Sequence, residues 1–220
     1  MAKVRDDKQV KGVSPAGIAV YPKLNSPDTK FNDNGVYTTK LKLTEKEAEP
    51  LIKLIDGLIE TEYNEAVDNA TTPAAKKRIK KADAPYRFEE DDDANPTGYV
   101  LFNFKRVASG TTKDGKKWAF TCPVYDAKLK PIDLTKNIIG GGSIIKVAYA
   151  ASPFNVPALG VGVSMRLEAV QVLEIRTYGQ KDGVGFGFGV VDGYDSVEQE
   201  DAVAAQFNED EGDIDDSGDF

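Results

Sequence analysis

Residues 98–122 read GYVLFNFKRVASGTTKDGKKWAFTC, and this stretch decides the fold. Val100, Phe102 and Phe104 alternate with Leu101, Asn103 and Lys105, a period of two that places one set of side chains on each face of a strand. The TTKDG segment at 111–115 then supplies turn residues. Apolar residues resume every second position at Trp118, Phe120 and Cys122, so 98–122 is expected to form a β-hairpin. Cys122 reads as a small core hydrophobe inside that alternation.

Working outward, the same period governs GVYTTKLKL at 35–43. Tyr37, Thr39, Leu41 and Leu43 share one face, and Thr38, Lys40 and Lys42 the other, giving a core side and a basic side. Residues 13–21 are rich in small and β-forming types, whereas 25–35 are rich in Asn, Pro, Asp and Gly, with Phe31 left among polar neighbours. Downstream, strands are expected at 144–151 and 163–176, joined by a loop holding Pro153, Phe154 and Pro157. Only 51–67 changes period. Leu51, Leu54, Ile55, Leu58, Ile59, Tyr63, Ala66 and Val67 form an apolar helical stripe. Thr44 and Glu47 spell a capping box that puts Pro50 inside the helix; alternatively Pro50 is its first residue. Residues 69–97, with basic (76–81) and acidic (89–93) clusters, read as a long irregular loop, either functional or a solvated insertion. Gly140 to Gly142 suit a close approach or bulge at a strand start better than an anion-binding nest. Five or six short strands, one helix and many Gly/Pro turns indicate a small Greek-key barrel or sandwich, between which spacing does not choose.

Composition narrows the function. The 220 residues contain one cysteine and no histidine, which argues against disulfides, the usual zinc sites and imidazole-based catalysis. Neither metal nor cofactor is expected, and the chain does not read as an enzyme. The start, MAKVRDDKQVKG, lacks an apolar signal core, and no apolar run approaches the length of a membrane span, so a cytosolic protein is expected. The net charge of −8 conceals two halves. Twelve of the 36 acidic residues and none of the 28 basic ones fall in 192–220, leaving residues 1–191 with a net charge of +4. The expected division is a folded domain at 1–180, a glycine-rich hinge at 181–198 and a disordered acidic tail at 199–220. The glycines at 183, 185, 187 and 189 lack the strand and helix that a dinucleotide site requires.

A protein that holds single-stranded nucleic acid needs cations for phosphates and flat rings for bases. Both recur together here. Lys23 follows Tyr21, Lys40 follows Tyr37, Lys105 and Arg106 follow Phe102 and Phe104, Lys117 precedes Trp118, and Lys146 precedes Tyr149. Taken singly, phenylalanines such as Phe102 and Phe104 are also ordinary core residues. The tail carries Asp213, Asp215, Asp216 and Asp219 and closes on one aromatic, Phe220. Such a peptide suits a basic groove on a partner, or the protein's own strand-binding cleft, as well as simple solvation.

The stretch NIIGGGSIIKVAY (137–149), then SPFN, VGVSMRLEAVQVLE and the ending EGDIDDSGDF, together with FNFKRVAS (102–109) and GVYTTKLKL (35–43), resembles the single-stranded DNA-binding proteins of short-tailed phages related to coliphage T-seven. The resemblance implies a mainly β chain with an OB-fold, a five-stranded Greek-key barrel, carrying one inserted amphipathic helix. It implies DNA contacts at Lys105, Lys146 and Phe154, whereas Val107 stands where a relative has an aromatic ring. It further implies dimerisation, help in strand annealing, and a tail that meets phage DNA polymerase and helicase-primase. Such a protein coats exposed strands during replication, recombination and repair in the cytoplasm of the infected bacterial host. The competing reading is an acidic-tailed assembly or chaperone-like interaction protein without nucleic-acid binding.

Overall fold

Residues 8–176 are described by the structure, a computed structural model. In chain order they form β1 (Val10–Val13), β2 (Gly17–Asp28), β3 (Val36–Thr44), α1 (Glu45–Asp68), α2 (Pro73–Arg78), β4 (Tyr86–Glu90), β5 (Pro96–Val107), β6 (Ser109–Thr111), β7 (Lys117–Ala119), β8 (Val124–Tyr125), β9 (Ile144–Val156) and β10 (Gly160–Glu174). Five of these strands close on themselves. β2 pairs antiparallel with β3, β3 with β5, β9 with β10 and β9 with β2, while β5 meets β10 in parallel. A ring of β2, β3, β5, β10 and β9 with a single parallel seam is the five-stranded barrel of the OB-fold. Closure pairs edges that a sandwich would keep free, and the part of β5 that β10 does not reach pairs with β4 instead.

The alternation at 36–43 sets the inner face. Tyr37, Thr39, Leu41 and Leu43 are all buried, as are Phe102 and Phe104 from β5, Ile145 and Val147 from β9, and Met165 and Leu167 from β10. Each large apolar side chain removed from water contributes about 1.5–3 kcal/mol. Cys122 lies in this core at 2% exposure, and burial pushes its thiol pKa up to about 12, so it behaves as a hydrophobe. The helix inserted between β3 and β5 lays Ala48, Leu51, Ile55 and Ile59 against the same core. No helix among the described residues is long and apolar enough to cross a membrane.

The capping box forms. Thr44 is the N-cap, its side chain accepts from the Glu47 amide, and Glu47 accepts from the Thr44 backbone. Pro50 therefore stands inside α1, where it cannot donate to the carbonyl of Lys46. The glycine run at 140–142 makes a turn into β9. The Gly140 and Gly142 amides donate to the carbonyls of Arg176 and Ala19, at 2.7 and 2.8 Å, so neither serves an anion nest.

Two stretches expected to be loops are ordered by pairing. Residues 69–97 contain α2 and then β4, which pairs with β5. Tyr86 packs against Phe102 and donates its hydroxyl to Asp56 on α1 at 2.9 Å, pinning β4 to the helix. The opposite charge blocks do not neutralise each other; Lys81 pairs with Glu60 and Lys42 with Glu89. Residues 152–157 likewise belong mostly to β9, because its ladder with β10 continues without a register shift from Tyr149 opposite Leu167 to Val156 opposite Gly160. β1 ends opposite Ala151, so Pro153 falls where that side of β9 has lost its partner and a missing amide costs little. The expected hinge and tail, at 181–198 and 199–220, lie outside the described residues.

Replacing Thr44 with alanine should destabilise the fold by about 1 kcal/mol, whereas Pro50→Ala should raise stability by about 1 kcal/mol or more by restoring a helix hydrogen bond. Opposite shifts in thermal melting midpoint would confirm the pair of assignments, and a loss on Pro50→Ala would contradict the second. A separate test uses pH. Burial, then the bond to Asp56, pushes the Tyr86 hydroxyl pKa up to about 12. The folded state thus keeps a proton that the unfolded chain releases near pH 10, and stability falls as pH rises from there towards 12. That alkaline loss should be smaller in Tyr86→Phe, measured by chemical unfolding at pH 9 and pH 11.

Candidate nucleic-acid interface

Cross-strand partners point to the same side of a sheet, so the register of the barrel dictates which outward side chains become neighbours. Thr38 faces Lys105, Lys105 faces Arg166, and Arg166 faces Ala150. With strands about 4.8 Å apart, Lys105 and Arg166 form an adjacent cationic pair across the parallel seam. The row winds on around the barrel to Lys23 opposite Thr38 and to Lys11 opposite Ala150.

A trough runs over this seam. One hollow is lined by Asn103, Lys105, Phe154, Leu159 and Ser164, and the next by Lys105, Val107, Trp118, Ser164 and Arg166. Lys105 and Ser164 belong to both, forming the saddle between them. A third depression, bordered by Lys40 and Arg87, joins at Asn103, and a fourth, bordered by Lys117, joins at Trp118. Trp118 stands on the β6–β7 hairpin, which continues from β5. The hairpin is tied to the β2–β3 loop by Ser109 Oγ donating to the Asn34 carbonyl at 3.0 Å and by the Ala108 amide donating to Gly35 at 2.8 Å. Trp118 keeps 41% of its surface exposed, and Phe154 is half-buried in the trough wall.

The charges divide into spent and unspent. Among the described residues no ion pair engages Lys23, Lys40, Lys105, Lys117 or Lys146, whereas Lys8, Lys42, Lys53, Lys81, Arg106 and Arg166 each hold a carboxylate. Arg166 donates through Nε to Glu168 at 2.6 Å and still borders the trough. Lysines without a protein partner leave their donors open to an anionic ligand.

Several residues singled out in the sequence are corrected by this geometry. Phe102 and Phe104 are fully buried, Tyr37 is 5% exposed with its ring edge-on to Phe120 at 5.9 Å, and Tyr149 is 7% exposed against Phe104. They share the inward face with Leu41 and Leu167, so no base can reach their rings. Arg106 is half-buried: it pairs with Glu168 and sets its guanidinium 3.7 Å from the Phe120 ring centre, and it also lines the hollow that holds Trp118 and Arg166. Lys146 is on the outer side of β9, opposite Gln171, and borders none of the four hollows. Tyr21 is turned out at an irregularity in β2, with φ of 49° and 71% exposure, and Lys40 Nζ stands 6.0 Å from its ring centre. Lys23 is exposed beside it. Asp213, Asp215, Asp216, Asp219 and Phe220 lie outside the described residues.

Arg166, Asn103 and Arg87 were not anticipated. The alternation VSMRL at 163–167 does signal an outward Arg166. Its closeness to Lys105 depends on pairing strands about sixty residues apart, which local pattern does not encode.

Comparison with known proteins agrees with the barrel. A family model described as the single-stranded DNA-binding protein of bacteriophage T7 matches residues 16–175. The single-stranded DNA-binding protein of Escherichia phage T7 is 30% identical over 212 residues, covering 93% of this chain and 87% of that protein. Its counterpart from Enterobacteria phage T3 is 33% identical over 154 residues, covering 67% and 66%. Among solved structures, gp2.5, a single-stranded DNA-binding protein encoded by bacteriophage T7, superposes with a TM-score of 0.64 at 26% identity, covering 86% of this chain and 99% of that one. The single-stranded DNA-binding protein of bacteriophage Enc34, solved in complex with single-stranded DNA, shares the fold at a TM-score of 0.52 and 13% identity, covering 81% and 93%. With the family model spanning most of the closed barrel and a relative aligned over nearly the full length, the chain belongs to the bacteriophage T7 single-stranded DNA-binding protein family.

Proposed function

We propose that a single strand of DNA lies in the trough across β3, β5, β10 and β9, with Lys105 at its centre. Phosphates are held by Lys105, Lys40, Lys117 and the free face of Arg166, and bases stack on Trp118 and Phe154. Tyr21 and Lys23 extend the track over β2, and Lys146 adds a more distant contact. The observation that carries this reading is Lys105 itself, an unpaired cation on the saddle between two hollows that each present an aromatic ring. Binding of this kind is electrostatic and stacking-driven, and it is indifferent to sequence. No chemistry on the strand is implied.

The protein's role is then to cover strands exposed in phage replication, recombination and repair, within the cytoplasm of the infected host. Residues 192–220 hold twelve acids without a base and end on Phe220. This tail imitates the charge of DNA, competes for the same trough, and offers Asp213, Asp215, Asp216, Asp219 and Phe220 to the phage polymerase and helicase-primase. Relief of that competition couples strand binding to recruitment. A homodimer places a second trough beside the first.

Trp118 is the chain's one tryptophan, so its fluorescence reports on the trough directly. Titration with oligonucleotides should quench it, with single strands binding more tightly than duplex. Lys105→Ala should reduce the dependence of log affinity on log salt by about 0.7. Binding that leaves the emission untouched, or ignores salt, would exclude the trough. Deleting residues 199–220 should strengthen DNA affinity and end partner binding in pull-down; unchanged affinity would remove the competition.

A further inference from the structure

The two rings of the trough share a feature of the sheet beneath them. In the β6–β7 ladder Trp118 is the cross-strand partner of Gly110, and in the β9–β10 ladder Phe154 is the partner of Gly162. Each ring lies over the glycine opposite it. A Cβ added at Gly110 would stand 2.8 Å from Trp118 Cζ2 and 3.0 Å from both Cε2 and Nε1. A Cβ at Gly162 would stand 2.6 Å from Phe154 Cζ. Carbon atoms do not approach so closely, hence any larger residue lifts the ring off the strand. Neither glycine is required by its own backbone, since positive φ is recorded only at Gly35, Gly98, Gly115, Gly142 and Gly160 among the described glycines.

A third pair of the same kind, Gly12 and Tyr149 across β1 and β9, shows the contact in ordinary packing. There the ring is 7% exposed. At the first two positions the ring packs on a strand that carries no side chain there and borders the trough, where Trp118 is 41% exposed and Phe154 half-buried. An isolated side chain stands away from a sheet and turns among rotamers. A ring seated on glycine is held broadside to a ligand, so less freedom is lost when a base stacks on it.

We propose that Gly110 and Gly162 are positioning residues for DNA binding, each holding one aromatic platform flat for a base; this rests on the trough being the strand-binding surface. Gly110→Ala decides the matter, because the three atoms nearest its added carbon all belong to Trp118, whereas Gly162→Ala also meets Ala82 Cβ at 3.0 Å. In the full chain Gly110→Ala should shift the emission and near-ultraviolet circular dichroism of Trp118 before any DNA is added. Its affinity for a labelled oligonucleotide, read by anisotropy, should fall about five- to tenfold, with the salt slope unchanged. In a Trp118→Leu background the same glycine substitution should cause no further loss, and Gly162→Ala should behave likewise in a Phe154→Leu background. Wild-type affinity in Gly110→Ala, or an equal loss with and without the ring, would overturn the proposal while leaving the trough intact. If Trp118→Leu and Phe154→Leu themselves bind as wild type, the assignment of the trough fails instead.

Discussion

The parallel seam between β5 and β10, locked by the long antiparallel ladder of β9 and β10, is the constraint on which the rest depends. Register is the quantity at stake. A slip of one residue in β10 would turn Met165 and Leu167 to water and bury Ser164 and Arg166. The apolar cost forbids that slip, so the same burial that stabilises the barrel sets Arg166 beside Lys105. Core and interface are two faces of one alternation, and neither can be changed independently of the other.

Charge follows the same economy. Carboxylates sit on cations that brace the scaffold: Glu62 and Glu65 on Lys8, Glu89 on Lys42, Glu60 on Lys81, Glu168 on Arg106. Buried Glu62 in particular needs Lys8, because an unpaired carboxylate inside the α1 stripe would be costly. Lysines of the trough are left without such partners. Exposed ion pairs add little to stability, so leaving Lys105 without one forfeits little. Glu168 is the exception, since it holds both Arg106 and Arg166 at the trough's border.

Much of the fold was legible because it follows from periodicity. The inner and outer sets of 36–43 and 98–107, the capping box at Thr44 and the turn at 112–115 all appear as the local pattern implies. Elements without an apolar rhythm of their own escaped. β4 is recruited by the open edge of β5, and the end of β9 is held by β10 despite Pro153. For the interface, alternation that correctly placed Phe102, Phe104 and Tyr37 on one face also removed them from contact with a ligand, since the side rich in rings is the core side. Rings that border the trough or its extension, Trp118, Phe154 and Tyr21, sit on a hairpin, near a strand end and at an irregularity in β2, where the inward pull is weakest. The contiguity of Lys105 with Arg166 arises only when distant strands meet.

The sheet path terminates in β1 and β8, strands of four and two residues, the first bearing exposed Lys11, and its branch β4 has five residues with Arg87 and Glu90 exposed. Short, charged borders offer another molecule almost no ladder to extend. Such brevity disfavours edge-to-edge strand pairing between two molecules brought close together, so contact between them need not become aggregation.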